Sequence, residues 1–455
     1  MARLLDLPLE LVSHIIALAC TPAAPPTALS LARTCRALRP LALPLLWSHL
    51  VLGSSRRIAA LIDSPDLRTC ARHVRSIAFV PRDTDGGARG GVGRGIGTSE
   101  TVEGRDAARV LERLRELSEE RDRDEDYGAR GTGLEVLDIA SVDALRVEVL
   151  QGEWLSSLRD LTLGPSIVLP TNCPLSPPTF SFHLKALALH NNHWQSLPSN
   201  LLAAVLETAL PERERDGVPG RGGLRHLDLR ATYNVAALRP FLERLSRPAV
   251  AAPSGGGAAA RGSSVLQTVE SLILPVFETD DHLDFALAAL SLCYSPPSTS
   301  PFAPPTWTDA PPPTPAQAHA RQRLRYVELP PLSSPSSGHY DALWAVMALL
   351  LRGTSCEGEG GVEAGRAPDG LREVGLRGWA ALQVVETAHA VLAAAGIDLA
   401  REVGGGAGAR RLALRFVGLR EEHQGTAVEL RRAVELLEGN GFEVRWGPYE
   451  VEREL

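Results

Sequence analysis

Seven short segments along this chain carry apolar residues at their first, fourth and sixth positions: Leu134/Leu137/Ile139, Leu158/Leu161/Leu163, Leu184/Leu187/Leu189, Leu224/Leu227/Leu229, Val269/Leu272/Leu274, Leu324/Val327/Leu329 and Leu371/Val374/Leu376. Residues two apart on a strand point the same way, so the fourth and sixth positions face one core, which the first enters from the preceding bend. An earlier stretch, Val74 to Val80, alternates in the same manner and predicts a strand. Apolar runs at helical spacing follow most of these strands, over 142–150, 197–210, 235–245, 283–293, 340–351 and 382–395. After Leu158 a Pro-rich loop, 164–178, stands in the helix's place. Strand then helix, repeated in order, predicts an α/β array whose units pack on their neighbours.

One segment, Leu184 through Asn192, completes L-x-x-L-x-L-x-x-N, and the series resembles the leucine-rich repeat. Asn192 is expected to bond turn backbone between neighbouring coils. The first strand starts are 24 and 26 residues apart, and the later ones 40, 45, 55 and 47. The excess falls before the next strand, in the Gly/Pro/Ser/Ala-rich stretches 211–223, 248–264, 295–320 and 353–370, which are expected to be disordered insertions along one edge. A final strand, helix and strand over 412–416, 426–437 and 442–446 are expected to cap the array, the helix setting Val428, Leu430, Val434 and Leu437 inward against an outer face of Glu429, Arg431, Arg432 and Glu435.

The first fifty residues follow a different rhythm. Pro8 suits a first helical turn and Glu10 suits the helix dipole, so a helix is expected near Pro8, with Leu11, Ile15, Ile16 and Leu18 on its apolar face. A Pro-rich turn (Thr21 to Thr27) leads to a second apolar face of Leu29, Ala32, Cys35, Leu38 and Leu41, then to Leu45-Leu46-Trp47. So short a stretch buries too small a core to stand alone, which leaves apolar surface for a partner.

The order L-P-x-E, C-R-x-L, L-W resembles an F-box. That resemblance implies a helical trio that docks a Skp-type adaptor and, through it, a cullin-RING ubiquitin ligase, with Leu7, Pro8, Leu11, Ile15, Leu31, Cys35, Leu38, Leu46 and Trp47 at the adaptor-binding positions. The fold expected is therefore an N-terminal three-helix F-box (1–55), a joining helix and strand (56–80), a Gly-rich and charged insertion with a helix (81–133), and an irregular leucine-rich-repeat solenoid with its cap (134–455). The whole resembles a substrate-recognition subunit of an SCF-type ligase, which bridges the adaptor to an unknown target protein; a repeat scaffold without any ligase is the alternative.

Charge and chemistry narrow the picture. The net charge of −7 and a pI near 6.0 give no basic excess for nucleic acid. No apolar run reaches bilayer length and the start lacks a signal-peptide pattern, so no membrane is expected and the protein is expected in the cytoplasm, the nucleus or both. The six cysteines stand singly, and Lys185 is the one lysine among 47 basic residues, as suits a composition heavy in Ala, Gly, Pro and Arg. Neither the Gly-rich run 86–97 nor the mixed-charge run 121–126 completes a binding motif. His183, His190 and His193 lack the partners of a metal set. With no catalytic constellation either, a non-catalytic receptor without cofactor or metal is expected. Its target is expected on the strand residues between the buried leucines: Asp138, Asp160, His190, His226, Asp228, Arg230, Tyr326, Glu328, Glu373 and Arg377.

Overall fold

The computed structural model describes residues 11–12, 14–16, 25–34, 36–80, 102–124, 133–168, 178–190, 199–209, 223–232, 235, 238–239, 268–275, 281–282, 284–286, 289–290, 324–329, 371–377, 413–417, 428–439 and 442–447. The helix start at Pro8, the turn asparagine Asn192, the Gly-rich run, the four insertions apart from Gly223 and the expected helices over 340–351 and 382–395 lie outside them.

The chain is mixed α/β, and its centre is an eleven-stranded sheet whose strands follow one another in chain order. These are β1 (His49–Leu52), β2 (Ser76–Phe79), β4 (Val136–Ile139), β7 (Asp160–Leu163), β9 (Ala186–Leu189), β10 (His226–Asp228), β11 (Ser271–Ile273), β12 (Tyr326–Leu329), β13 (Glu373–Arg377), β14 (Ala413–Val417) and β15 (Glu443–Trp446). Pairing is parallel, and it matches like positions of successive segments: Ile77 lies opposite Leu137, Leu137 opposite Leu161, Leu272 opposite Val327, and Val327 opposite Val374. All three apolar positions of all seven segments are buried, none above 5% exposed. Each such side chain contributes about 1.5–3 kcal/mol, so the recurring triplets are the main source of cohesion.

The second position of each segment carries charge, and in most of them its carbonyl joins neighbouring strands. Arg75, Glu135, Arg225, Glu270 and Arg325 each accept two amides from the start of the next strand, as Glu135 and Val136 donate to Arg75 at 2.7 and 3.0 Å. Opposite charges meet across this row, Arg75 with Glu135 and Arg325 with Glu270.

Contacts divide the chain into two compact units, Met1–Leu187 with Leu197–Thr208, and Ala188–Ser196 with Ala209–Leu455. In the first unit, residues 11–16 are helical where described, α1 spans Pro25–Thr34 and α2 spans Arg39–Ser48. Two expectations change here. The Pro-rich stretch opens a helix, because Pro25 suits the first helical position. Leu38 lies in a turn and Pro40 starts a new helix, so the second apolar face does not run unbroken from Leu29 to Leu41. The expected helix over 56–73 is α3 (Ser55–Ile62), α4 (Pro65–Cys70) and a 3-10 turn, Ala71–His73, broken where the Ser64 hydroxyl accepts from Asp66 N–H at 3.2 Å and restarts the helix at Pro65.

The helix of the charged insertion is α5 (Gly104–Asp124), which buries Ala107, Val110, Leu111, Leu114 and Leu117 at helical spacing. Its outer face pairs Arg113 with Glu116 and Arg115 with Glu119. The mixed-charge run starts on its last turn.

The expected helix over 142–150 is a correction. That stretch forms β5 (Val142–Asp143), β6 (Leu145–Arg146) and a 3-10 turn, Val147–Leu150, with a second turn at Glu153–Leu155. β5 pairs with β3 (Val102–Glu103) and β6 with β8 (Ile167–Val168), so the Pro-rich loop also supplies a strand. The β-branched Val142 and the positive φ at Ala144 are at odds with a continuous α-helix here. Farther on, α6 (Ser199–Ala209) and the described residues of 283–293 are helical as expected.

In the second unit β14 and β15 flank α7 (Val428–Gly439), which buries Val434 and Leu437 and exposes Arg431, Arg432 and Glu435. No helix among the described residues is long and apolar enough to cross a membrane.

Candidate functional site

Two surfaces gather the candidate residues. The first is built on the N-terminal helices, where Val12, Ile16 and Leu38 form a small core with Leu31, Leu41, Leu45 and Leu46 packed against it. Positions four apart share a helix face, so Val12 and Ile16 turn inward while Leu11 and Ile15 turn out, 52% and 40% exposed. The single apolar face expected from the sequence is thus split in two. Leu29 is also exposed, Trp47 is half-buried, and Leu7, Pro8 and Cys35 lie outside the described residues.

The second surface is the face of the main sheet opposite the leucine triplets. In the first unit the strands β2, β4 and β7 alternate half-buried and buried residues, with Asp138 and Asp160 half-buried; β9 alternates likewise, and His190 just after it, a residue of the second unit, is half-buried too. The Asp138 carboxylate accepts the Ala140 N–H at 3.0 Å, which turns the chain away at the strand end.

In the second unit the middle of this face is buried, Tyr326 being 0%, Glu328 1% and Glu373 3% exposed, while His226, Asp228 and Arg377 are half-buried and Arg230 is exposed. Charges at such depth persist only when paired. The Tyr326 hydroxyl donates to Glu328 Oε2 at 2.8 Å, and Arg377 Nε donates to Glu328 Oε1 at 2.5 Å. Glu373 takes Arg415 Nε on one oxygen and Arg445 on the other at 2.8 Å. Arg445 also donates to Glu443 at 2.8 Å, and Arg415 to the Trp446 carbonyl at 3.2 Å, while the Phe416 and Trp446 rings stack 5.3 Å apart. Arg230 pairs with Asp228 at 2.9 Å.

Gly375 makes this network possible. A Cβ there would lie 2.2 Å from the Tyr326 hydroxyl, so only glycine lets the ring lie across β13 and reach Glu328. Burial, then the Glu328 charge and hydrogen bond, push the Tyr326 hydroxyl well above the usual phenol range. His226, half-buried on β10, is held below the ordinary imidazole value by burial, with Asp228 and Glu328 opposing that shift and Arg230 adding to it.

Sequence reasoning missed Arg415, Arg445 and Ser271. Register is the signal that finds the first two: Leu414 lies opposite Val374 and Phe416 opposite Leu376, which puts Arg415 beside Gly375 and Arg445 beside Arg415 on the candidate face.

In the first unit a cleft of about 230 Å³ between α5 and the 3-10 turns is lined by Leu111, Val149 and Trp154 with Glu112, Arg115, Arg146 and Glu148. It holds no nucleophile, and the shifted groups Tyr326 and His226 belong to the sheet face. No group of three or more His, Cys, Asp or Glu able to hold a metal ion occurs among the described residues. No protein-family model matches the chain, and comparison with curated proteins and solved structures finds no match either.

Proposed function

We propose that this chain is the substrate-recognition subunit of an SCF-type E3 ubiquitin ligase. In this reading residues 1–55 are an F-box that holds a Skp-type adaptor, and the strand-helix array over 134–455 is an irregular leucine-rich-repeat solenoid that holds a target protein. The observation that carries it is the coincidence of the L-P-x-E, C-R-x-L, L-W order with exposed Leu11 and Ile15 beside a core that, among the described residues, is centred on buried Val12, Ile16 and Leu38. Apolar side chains grouped in this way are what a docking helix presents to a partner. The in-register apolar triplets support the repeat reading. The chain acts by proximity and orientation inside the cell, while reactive groups come from the ligase.

A repeat scaffold without a ligase is the second reading. It is favoured by the packing of α2 on α4 and on the Ala71–His73 turn, which fastens the N-terminal helices to the structure that follows.

Co-purification of the intact chain with a Skp-type adaptor separates the two. Capture is expected, with a loss of about tenfold or more in a Leu11→Ala/Ile15→Ala/Trp47→Ala variant that keeps its melting temperature, since buried apolar anchors dominate interface energies. No capture by the intact chain leaves the scaffold.

A further inference from the structure

Arginine supplies nearly all the positive charge of this chain: one lysine, Lys185, stands among 47 basic residues. Arginine makes the ion pairs of both units, as in Arg68 with Glu120 and Arg75 with Glu135 in the first and Arg377 with Glu328 in the second. At the second position of the strand segments, Arg75, Arg159, Arg225, Arg325 and Arg372 hold the place that Lys185 holds before β9.

The two cations differ in chemistry. An amine can lose its proton and become a nucleophile, whereas a guanidinium stays charged across the physiological range and has no lone pair to offer. In the ligase reading a ubiquitin thioester is carried close to the target, and the raised effective concentration acts equally on any amine of the receptor held beside it. Transfer joins the amine nitrogen to the ubiquitin carbonyl carbon and breaks the carbon–sulfur bond, and the E2 cysteine leaves as a thiol with the proton that the nitrogen gives up. Lys185 is the one side-chain amine this chain offers to that reaction. It is half-buried, its segment is pinned by buried Leu184 and Leu187, and its N–H donates to the Arg159 carbonyl at 2.7 Å.

We infer that the receptor is spared by the ligase it serves: ubiquitin passes to the amines of the target, because the receptor's own side chains present a single half-buried acceptor. This consequence holds however the composition arose. The inference rests on the ligase reading and adds to it how a receptor outlasts its targets.

The test is a reconstituted reaction of the full chain with a Skp-type adaptor, a cullin-RING core, an E2 and ubiquitin whose own lysines are replaced by arginine, so that each modified residue gains one ubiquitin. Discharge of the E2 onto free lysine shows that the thioester is live. Slow modification of the intact chain is expected, all of it at Lys185 by mass spectrometry and lost in Lys185→Arg. A variant with lysines added at exposed sites, Arg57→Lys/Arg159→Lys/Arg432→Lys, should gain a ubiquitin at each of them and be modified several-fold faster, with an unchanged melting temperature. Added lysines that stay unmodified, or transfer to Lys185 as fast as to the added lysines, would overturn the inference. Adaptor capture is scored on the same preparations. Capture with either of those results removes the inference and leaves the ligase, while no capture removes both.

Discussion

The two units share one inward pattern and differ in what the sheet presents on its other face. Strands β2, β4, β7 and β9 carry Ser76, Ala78, Val136, Ala186 and Ala188 there beside Asp138 and Asp160, and all of these are half-buried. Strands β11, β12 and most of β13 are buried on both faces. Side chains as small as Ser and Ala cannot bridge strands about 4.8 Å apart, whereas Glu, Arg and Tyr can link across one or two. Length and charge of the outward residues, rather than the leucine pattern, decide whether the face stays open or closes into a bonded layer.

The largest test of that contrast is to remove matching carboxylates. Glu328→Gln in the second unit leaves Arg377 and Tyr326 without their partner in a buried setting and should cost about 3–5 kcal/mol. Asp138→Asn on the half-buried face of the first unit keeps a side-chain oxygen to accept the Ala140 N–H and should cost about 0.5 kcal/mol or less. Urea denaturation reads both, and equal losses would erase the distinction.

A Gly375→Ala change probes the same layer from its steric side. Its Cβ drives the Tyr326 hydroxyl off Glu328, so a loss of about 1–3 kcal/mol is expected. In a Tyr326→Phe background the hydroxyl is gone and most of that penalty should vanish, a coupling that a double-mutant cycle measures.

The smallest effect is in pH. His226 is held neutral by burial, so its folded pKa lies below the ordinary imidazole value of about 6.5. As pH falls below that value the unfolded chain takes up a proton that the folded chain does not. Stability is then lost until the folded pKa is passed. Denaturant midpoints at pH 7 and pH 5 should therefore differ less in His226→Gln than in the intact chain.

The leucine triplets were legible because their spacing states a strand, its facing and its repeat at once, and each lies buried where the pattern puts it. The strand of the last unit was legible too, lying at Ala413–Val417 where the sequence put it at 412–416. Residues 142–150 were misread because an apolar run that short fits either period, and the positive φ at Ala144 separates two short strands ahead of a 3-10 turn. On the N-terminal helix, spacing alone did not separate Leu11 and Ile15 from Val12 and Ile16, which differ by one helical step. The buried network was the least legible part. Alternation says that Tyr326, Glu328 and Glu373 leave the leucine core, but burial depends on Arg377, Arg415 and Arg445, which come from strands far along the chain.

Strand order in the main sheet has a consequence for synthesis. Each strand from β2 onward is hydrogen-bonded to one already made when it leaves the ribosome, so assembly can follow translation without waiting for the carboxyl end. At roughly 5–20 residues per second, β13 follows β12 within about ten seconds, and until then β12 is the open edge of the growing sheet. In that interval Glu328 is already joined to Tyr326 from its own strand but has yet to meet Arg377, and the nascent chain carries an unneutralised carboxylate that the next strand removes.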